Sequence, residues 1–236
     1  MDVGGGFAPS HITFTKEFME FIGSLWEFLL GRPEQVRDAI FEHLLYVVVV
    51  VGLASAFSIM IGVLTRYNVF ARELSLAIGS VFLTIPSLAL FTIFIPLVGL
   101  GFWPSFIALF LYAILPVLRN TVTGLEQVDP SVLEAAKGMG LTNTEVLLRV
   151  QLPLAWPVIL AGVRIATMLT VGIAAIATLV AGGGLGDFIK SGLARLPLPN
   201  SLESIWLGTL LCLLLAFVID LGLKVLKTAT ISRGIR

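Results

Sequence analysis

Uncharged apolar runs, each close to the length of a bilayer crossing, alternate along this chain with short polar stretches. A hydrocarbon core of about 30 Å takes roughly 20 apolar residues in helical form, and residues 44–64 supply such a run without a single charge. Residues 74–99 predict a second span, interrupted by Pro86 and Pro96, whose missing N–H groups and ring clashes kink a helix where neighbouring protein can compensate. A third, shorter span covers 103–118, with Pro104 suited to its first turn and Pro116 near its far end. Residues 156–180 and 203–223 give the fourth and fifth, the last with Asp220 as its internal acid. Residues 12–30 also alternate apolar and polar positions at helical spacing, but Lys16, Glu17, Glu20 and Glu27 in that window predict a helix lying at the interface. The expected fold is an all-α polytopic membrane protein of about five transmembrane helices with an N-terminal interfacial helix.

Composition agrees. Of 236 residues, 57% are hydrophobic and 13% charged, and the mean hydropathy is +1.01; a water-soluble domain of this length could not hide that much apolar surface in one core. The net charge is zero and no dense basic run is interleaved with aromatics, so no nucleic-acid partner is expected. Cys212 is the sole cysteine and lies in an apolar run, while His11 and His43 are isolated, so no disulfide framework, metal site or cofactor is predicted. The segment before and after Lys16 does not fit a signal peptide.

Lys and Arg placement sets the orientation. If the long polar gap between spans three and four is cytoplasmic, that side receives Arg66, Arg72, Arg119, Lys137, Arg149, Arg164, Lys224, Lys227, Arg233 and Arg236, and the other keeps Lys16, Arg32, Arg37, Lys190 and Arg195. The imbalance predicts an external N-terminus and a cytoplasmic C-terminus, in agreement with an odd number of spans. The chain then divides into an external segment (1–42), a transmembrane domain (43–223) holding a cytoplasmic loop (120–155), and a basic cytoplasmic tail (224–236).

That loop carries the most specific pattern. Asp129 is a good N-cap, Pro130 fits the first helical position, and Ser131 with Glu134 could form a capping box. Gly138 and Gly140 would stop this helix, and Thr142 with Glu145 offers a second capping box for a helix ending before Pro153. The unit is helix, turn, helix, and the small Ala135 and Ala136 leave room for another surface to approach. From caps and turns alone, an ordered loop and a docking element fit equally.

The spacing Glu134-Ala135-Ala136, three residues, Gly140, nine residues, Val150, one residue, Leu152-Pro153 resembles the signature loop of permease subunits of binding-protein-dependent ABC importers, with Val150 where that family more often has Ile. The likeness extends through residues 85–91, 115–121, Gly124-Leu125, Val128-Asp129-Pro130 and Gly183-Gly184-Leu185-Gly186, which look like the osmoprotectant branch of the type I, MetI-like importers. The resemblance implies a five-span core in a bacterial or archaeal cytoplasmic membrane, dimerised with an identical or paralogous permease subunit around a translocation path. It further implies two cytoplasmic ABC ATP-binding subunits docked on the loop, an external or periplasmic solute-binding protein, and uptake of glycine betaine, carnitine, choline or a similar solute. Another branch of the same importers, carrying methionine or a sulfonate, is the alternative.

Other classes fit less well. The run Gly182–Gly186 follows a membrane helix rather than a strand, and no Gly-Lys-Ser or Gly-Lys-Thr occurs, so it is not a phosphate-binding loop and the chain is not expected to hydrolyse ATP itself. An autonomous channel or secondary transporter would call for internal repeats or several intramembrane ionisable groups, and a membrane enzyme for convergent acids and bases. Asp220 reads either as a functional acid or as a structural pair with Lys224 one turn on, and Arg164 as reaching the interface or a neighbouring loop. Phe82, Pro86, Phe91, Phe94 and Tyr112 are candidate path residues, with lipid or core packing as the ordinary reading of the aromatic ones.

Overall fold

The structure, a computed structural model, describes residues 10–230. Arg233 and Arg236 of the expected basic tail and the first nine residues of the expected external segment lie outside them. The described elements are helices: α1 (Ser10–Leu30), α2 (Pro33–Thr65), α3 (Val69–Thr84), α4 (Ser87–Val98), α5 (Phe102–Glu126), α6 (Pro130–Gly138), α7 (Asn143–Val146), a π turn (Leu147–Gln151), α8 (Leu152–Ala177), a 3-10 turn (Thr178–Val180), α9 (Gly186–Ala194) and α10 (Ser201–Thr230). Among the described residues four helical stretches are long and apolar enough to cross a membrane: α2, α5, Asn143–Val180 and α10. Together α3 and α4 pass the same test as a pair, which makes a fifth crossing if the pair is one broken span.

The break between α3 and α4 is sharper than the predicted kink, at 99°. A residue before proline avoids the helical region, and Ile85 is extended at φ −74° and ψ 130°. Its freed carbonyl accepts the Tyr112 hydroxyl of α5. Pro96, the other expected interruption, sits inside α4 without ending it. The third span is likewise longer than predicted, because α5 continues through Asn120 and Thr121 to Glu126.

α5 is the centre of the bundle and is buried along most of its length, from Pro104 to Leu125. Around it one core joins Tyr46, Val50 and Ala54 of α2, Leu90 and Phe91 of α4, and Ala166, Ala174 and Ala177 of α8. Lipid gives no hydrophobic drive between helices, so packing depends on close approach through small residues and on interhelical hydrogen bonds. A Cβ at Gly162 of α8 would stand 2.6 Å from Asn120 Cβ and 2.7 Å from the Pro116 carbonyl oxygen, and one at Gly124 of α5 would stand 3.0 Å from the Ala155 carbonyl oxygen. From α2, the buried Ser58 hydroxyl donates to the Ile114 carbonyl at 3.1 Å.

α10 packs on α8 and α9 and leaves Leu213, Leu214, Phe217 and Leu221 outward. Its acid, Asp220, is buried and bound by two cations. Arg164 of α8 holds it through two hydrogen bonds, from Nε to Oδ1 and from Nη2 to Oδ2 at 3.0 Å, and Lys224 reaches Oδ2 at 2.9 Å. The expected Lys224 pair forms; Arg164, expected at the interface or a loop, instead joins two helices. α1 meets the start of α10, where Ser24 donates to Glu203 at 3.1 Å and Phe21 packs edge-on to Trp206.

Gly162→Leu is expected to lower the melting temperature of the solubilised protein, since overpacking costs about 1–3 kcal/mol. Gly172→Leu, where a Cβ meets nothing within 4 Å, is expected to leave it unchanged. Equal melting of the two variants would remove the α5–α8 approach as the determinant of packing.

Candidate functional site

The chain from α5 to α8 forms a tightly tied loop at one end of the bundle. Asp129 opens α6, its carboxylate accepting the Ser131 N–H at 2.8 Å. The expected box between Ser131 and Glu134 is replaced by this cap, because Ser131 already lies within the first turn. Bonds from Ser131 hold the Asp129 carboxyl below the ordinary carboxylate range. At the other end Gly140 donates to the Lys137 carbonyl at 2.9 Å and Leu141 to the Ala136 carbonyl at 3.3 Å, the paired bonds of a Schellman stop. Gly140 has φ +88°, and a Cβ there would meet nothing within 4 Å; glycine is required by backbone conformation alone, not by space.

α7 begins with the predicted capping box. The Thr142 N–H and hydroxyl both donate to Glu145 Oε2, at 3.0 and 2.9 Å, and the Glu145 N–H returns a bond to the Thr142 hydroxyl at 3.3 Å. These bonds, with the nearby Arg149 charge, hold the Glu145 carboxyl below its ordinary value. The backbone then widens into the π turn, where the Leu152 N–H reaches back to the Leu147 carbonyl, and Pro153 follows with no N–H to offer. Gln151 donates from Nε2 to the Leu125 carbonyl at 3.1 Å, satisfying one of the open carbonyls at the end of α5. Arg72 of α3 meets Glu126 at 2.6 Å beside it.

The predicted residues therefore divide by role. Ala136 is buried and Leu133 half-buried, so that side of α6 seats the helix on its own chain, and Ala136 is not open to a partner as expected. Glu134 and Ala135 are exposed, and Ala135 shares its face with Val132 and Met139, the latter 74% exposed. One strip of the outward surface of α6 is thus apolar and shallow, with the charged Glu134 and Lys137 exposed on the same helix. Leu152 packs into the cluster of Leu125, Leu147, Ala155 and Ile159, Val150 is half-buried, and Pro153 is exposed. Gln151 was missed, although it stands inside the signature; its role depends on where α5 ends, which no local pattern shows.

The candidate path residues do not form one surface. Phe91 is fully buried and Tyr112 is 3% exposed; both are core, which is the ordinary reading of them. Phe82 and Phe94 are half-buried against that core, and Pro86 is exposed at the break. The aromatic row that does reach the surface was missed: Phe102, Phe106 and Phe110, one per turn of α5, with Tyr46 and Phe57 from α2 beside them. Its spacing of four residues is visible in the sequence, but which side of α5 stays open is not.

The far end of the bundle is polar. The glycine run after α8 bends the chain back into α9, with the Gly184 N–H donating to Glu42 Oε2 at 2.9 Å. Thr178 donates to Asp187, and Lys190 reaches the Thr178 carbonyl at 2.9 Å. His43 is buried against α8, its Nε2 donating to the Val171 carbonyl at 3.2 Å.

Known proteins share both sequence and fold with this chain. Residues 49–231 match the family described as binding-protein-dependent transport system inner membrane component. The choline transport system permease protein OpuBB of Bacillus subtilis is 41% identical over 89% of this chain and 95% of its own length. The osmoprotectant import permease protein OsmW of Salmonella typhimurium is 35% identical over 89% and 98%. A chain of the MetNI methionine ABC transporter, solved in an inward-facing conformation, superposes with a TM-score of 0.71 at 23% identity, over 83% of this chain and 96% of that one, a likeness of fold. With the family match spanning most of its length and the relatives covering nearly all of it, the chain belongs to the inner membrane components of binding-protein-dependent transport systems and is a transport permease.

Proposed function

We propose that the chain is the permease subunit of an ATP-driven ABC importer for compatible solutes of the glycine betaine, carnitine and choline type. The observation that carries the importer reading is the family match over a chain whose signature opens on α6 with Glu134 and Ala135 exposed. For the solute, support comes from relatives at 35–41% identity whose names specify choline and osmoprotectant transport. A third, from Bacillus subtilis, is named for glycine betaine, carnitine and choline.

In this reading the exposed side of α6, with Val132, Glu134, Ala135 and Met139, docks in a pocket of a cytoplasmic ATP-binding subunit, and Ala136, Gly140, Val150, Leu152 and Pro153 keep the loop in shape. A second permease subunit completes the path, with Pro86 at the α3–α4 break as its gating element. An external binding protein delivers the solute. The partner ATPase hydrolyses ATP, and its closure moves the loop. Driving a two-state equilibrium from 1:99 to 99:1 takes about 5.5 kcal/mol of differential binding, so a loop that slid in its pocket could not transmit the change. The N-terminus is outside and the C-terminus cytoplasmic.

Radiolabelled choline uptake by the reconstituted complex, dependent on ATP and the binding protein and competed by glycine betaine or carnitine, is the expected result. Competition by methionine or an organosulfonate alone would move the chain to another importer branch. Gly140→Leu forces a side chain into the left-handed region at a cost of about 1–2 kcal/mol, and is expected to reduce uptake severely while ATP hydrolysis continues. Full uptake in that variant would defeat the docking role. For orientation, Thr142→Cys in a Cys212→Ser background should react with impermeant reagents only from the cytoplasmic face, and Ser191→Cys from outside; the reverse pattern would invert the topology.

A further inference from the structure

At the end of the bundle remote from the loop, Leu45, Tyr46 and Val49 of α2 and Phe102 and Phe106 of α5 line a cavity of about 230 Å³ with Glu42 at its mouth. Its walls are aromatic. The Phe102 ring stands 4.9 Å from Tyr46 and 5.5 Å from Phe106, centroid to centroid. The Tyr46 hydroxyl donates to the Phe102 carbonyl at 3.0 Å, which leaves its ring as what it offers a ligand. Leu45 and Phe102 are half exposed in the single chain, so the cavity opens sideways.

The carboxylate at the mouth belongs to an exposed side chain. Glu42 accepts the Gly184 N–H at 2.9 Å, and among the described residues no Lys or Arg forms an ion pair with it. The neighbouring cations are engaged elsewhere: Arg37 on Asp38, and Lys190 on the Thr178 carbonyl. On its other side Glu42 borders a polar cavity with Asp38, Asp187 and Ser191, open to the end of the bundle. One carboxylate thus joins a polar entrance to an aromatic chamber.

The chemistry of the lining selects the occupant. An acyl chain would fill the walls and gain nothing from Glu42, which is exposed. A metal ion would satisfy Glu42, gain nothing from the apolar walls and find no second free oxygen in the lining. An ordinary ammonium would bring N–H groups that the rings cannot accept well. A quaternary ammonium has no N–H to satisfy, carries methyl groups that pack on rings, and is attracted by both ring faces and carboxylate. We infer that this cavity is a low-affinity site for a quaternary ammonium headgroup. The inference deepens the transport reading and rests on it for the ligand's source, a free solute; the headgroup of a choline lipid carries the same chemistry.

Saturation-transfer NMR on the complete transport complex in detergent, without its binding protein, tests the site with choline and with its neutral isostere dimethylbutanol, in which carbon replaces the nitrogen. Choline methyl groups should receive saturation and the isostere should not, a comparison that needs no variant. Phe102→Leu should weaken choline binding by between about 2-fold and about 30-fold, the range for losing one ring face. Glu42→Gln should weaken it as well, and Phe217→Leu, on the outward face of α10, should not. Loss of the choline signal on adding phosphatidylcholine would assign the site to a lipid headgroup, and persistence to the free solute; either keeps the quaternary ammonium chemistry. An isostere signal equal to that of choline, or a full signal in the Phe102→Leu, Glu42→Gln double variant, would overturn the inference. Uptake of methionine but not choline by the reconstituted system would remove the transport reading and leave the NMR comparison to decide the site.

Discussion

Where α8 crosses α5, Gly162 lets backbone meet side chain and carbonyl at distances that no Cβ could tolerate, and Gly124 makes an approach that leaves a Cβ little room. In water a bundle can be loosely packed and still be held by its apolar core, but lipid solvates apolar helices as well as they solvate one another. Dispersion contacts at short range and interhelical hydrogen bonds must then supply the stability, and both require this approach. Pro116 sits at the same level of α5, its carbonyl receiving the Asn120 amide at 2.8 Å.

The loop inherits its rigidity from that contact. α6 and α7 bridge the ends of the two helices that pack most closely, and Gln151 closes the bridge by bonding the last turn of α5. Caps fix both short helices, so little in the segment from Asp129 to Pro153 is free to absorb a displacement. The segment is thereby joined to α5 and α8 together. α10, by contrast, is tied to α8 chiefly through Arg164 and Asp220 and through apolar contacts, and presents most of its length outward.

What the sequence made legible follows the range of the interactions. Spans, caps and the Gly140 stop depend on residues within a few positions, and the box between Thr142 and Glu145 forms as its spacing predicts. The 99° turn at Ile85 was visible only as a kink, because a proline sets the preceding dihedral but not whether the chain resumes in line. Phe91 and Tyr112 looked like candidates for a path and are core, since an apolar run does not say which face meets protein and which meets lipid. Arg164 and Asp220 lie 56 positions apart, and nothing local to either announces the other.

The broken span is bound to the same unit. Leu90 and Phe91 of α4 are buried against α5, and the Tyr112 hydroxyl holds the carbonyl at the break itself. Those contacts lie on the α4 side, while α3 leaves a long face of Phe70, Leu74, Ile78 and Val81 outward. A proline-bounded break has no helical hydrogen bonds to lose when its two arms change angle, so the resistance to bending there comes from side-chain packing. Both arms are held on α5, α4 through Leu90 and Phe91 and α3 through Arg72, which meets Glu126 at 2.6 Å, so a change of angle at Pro86 has to work against contacts on one arm or the other.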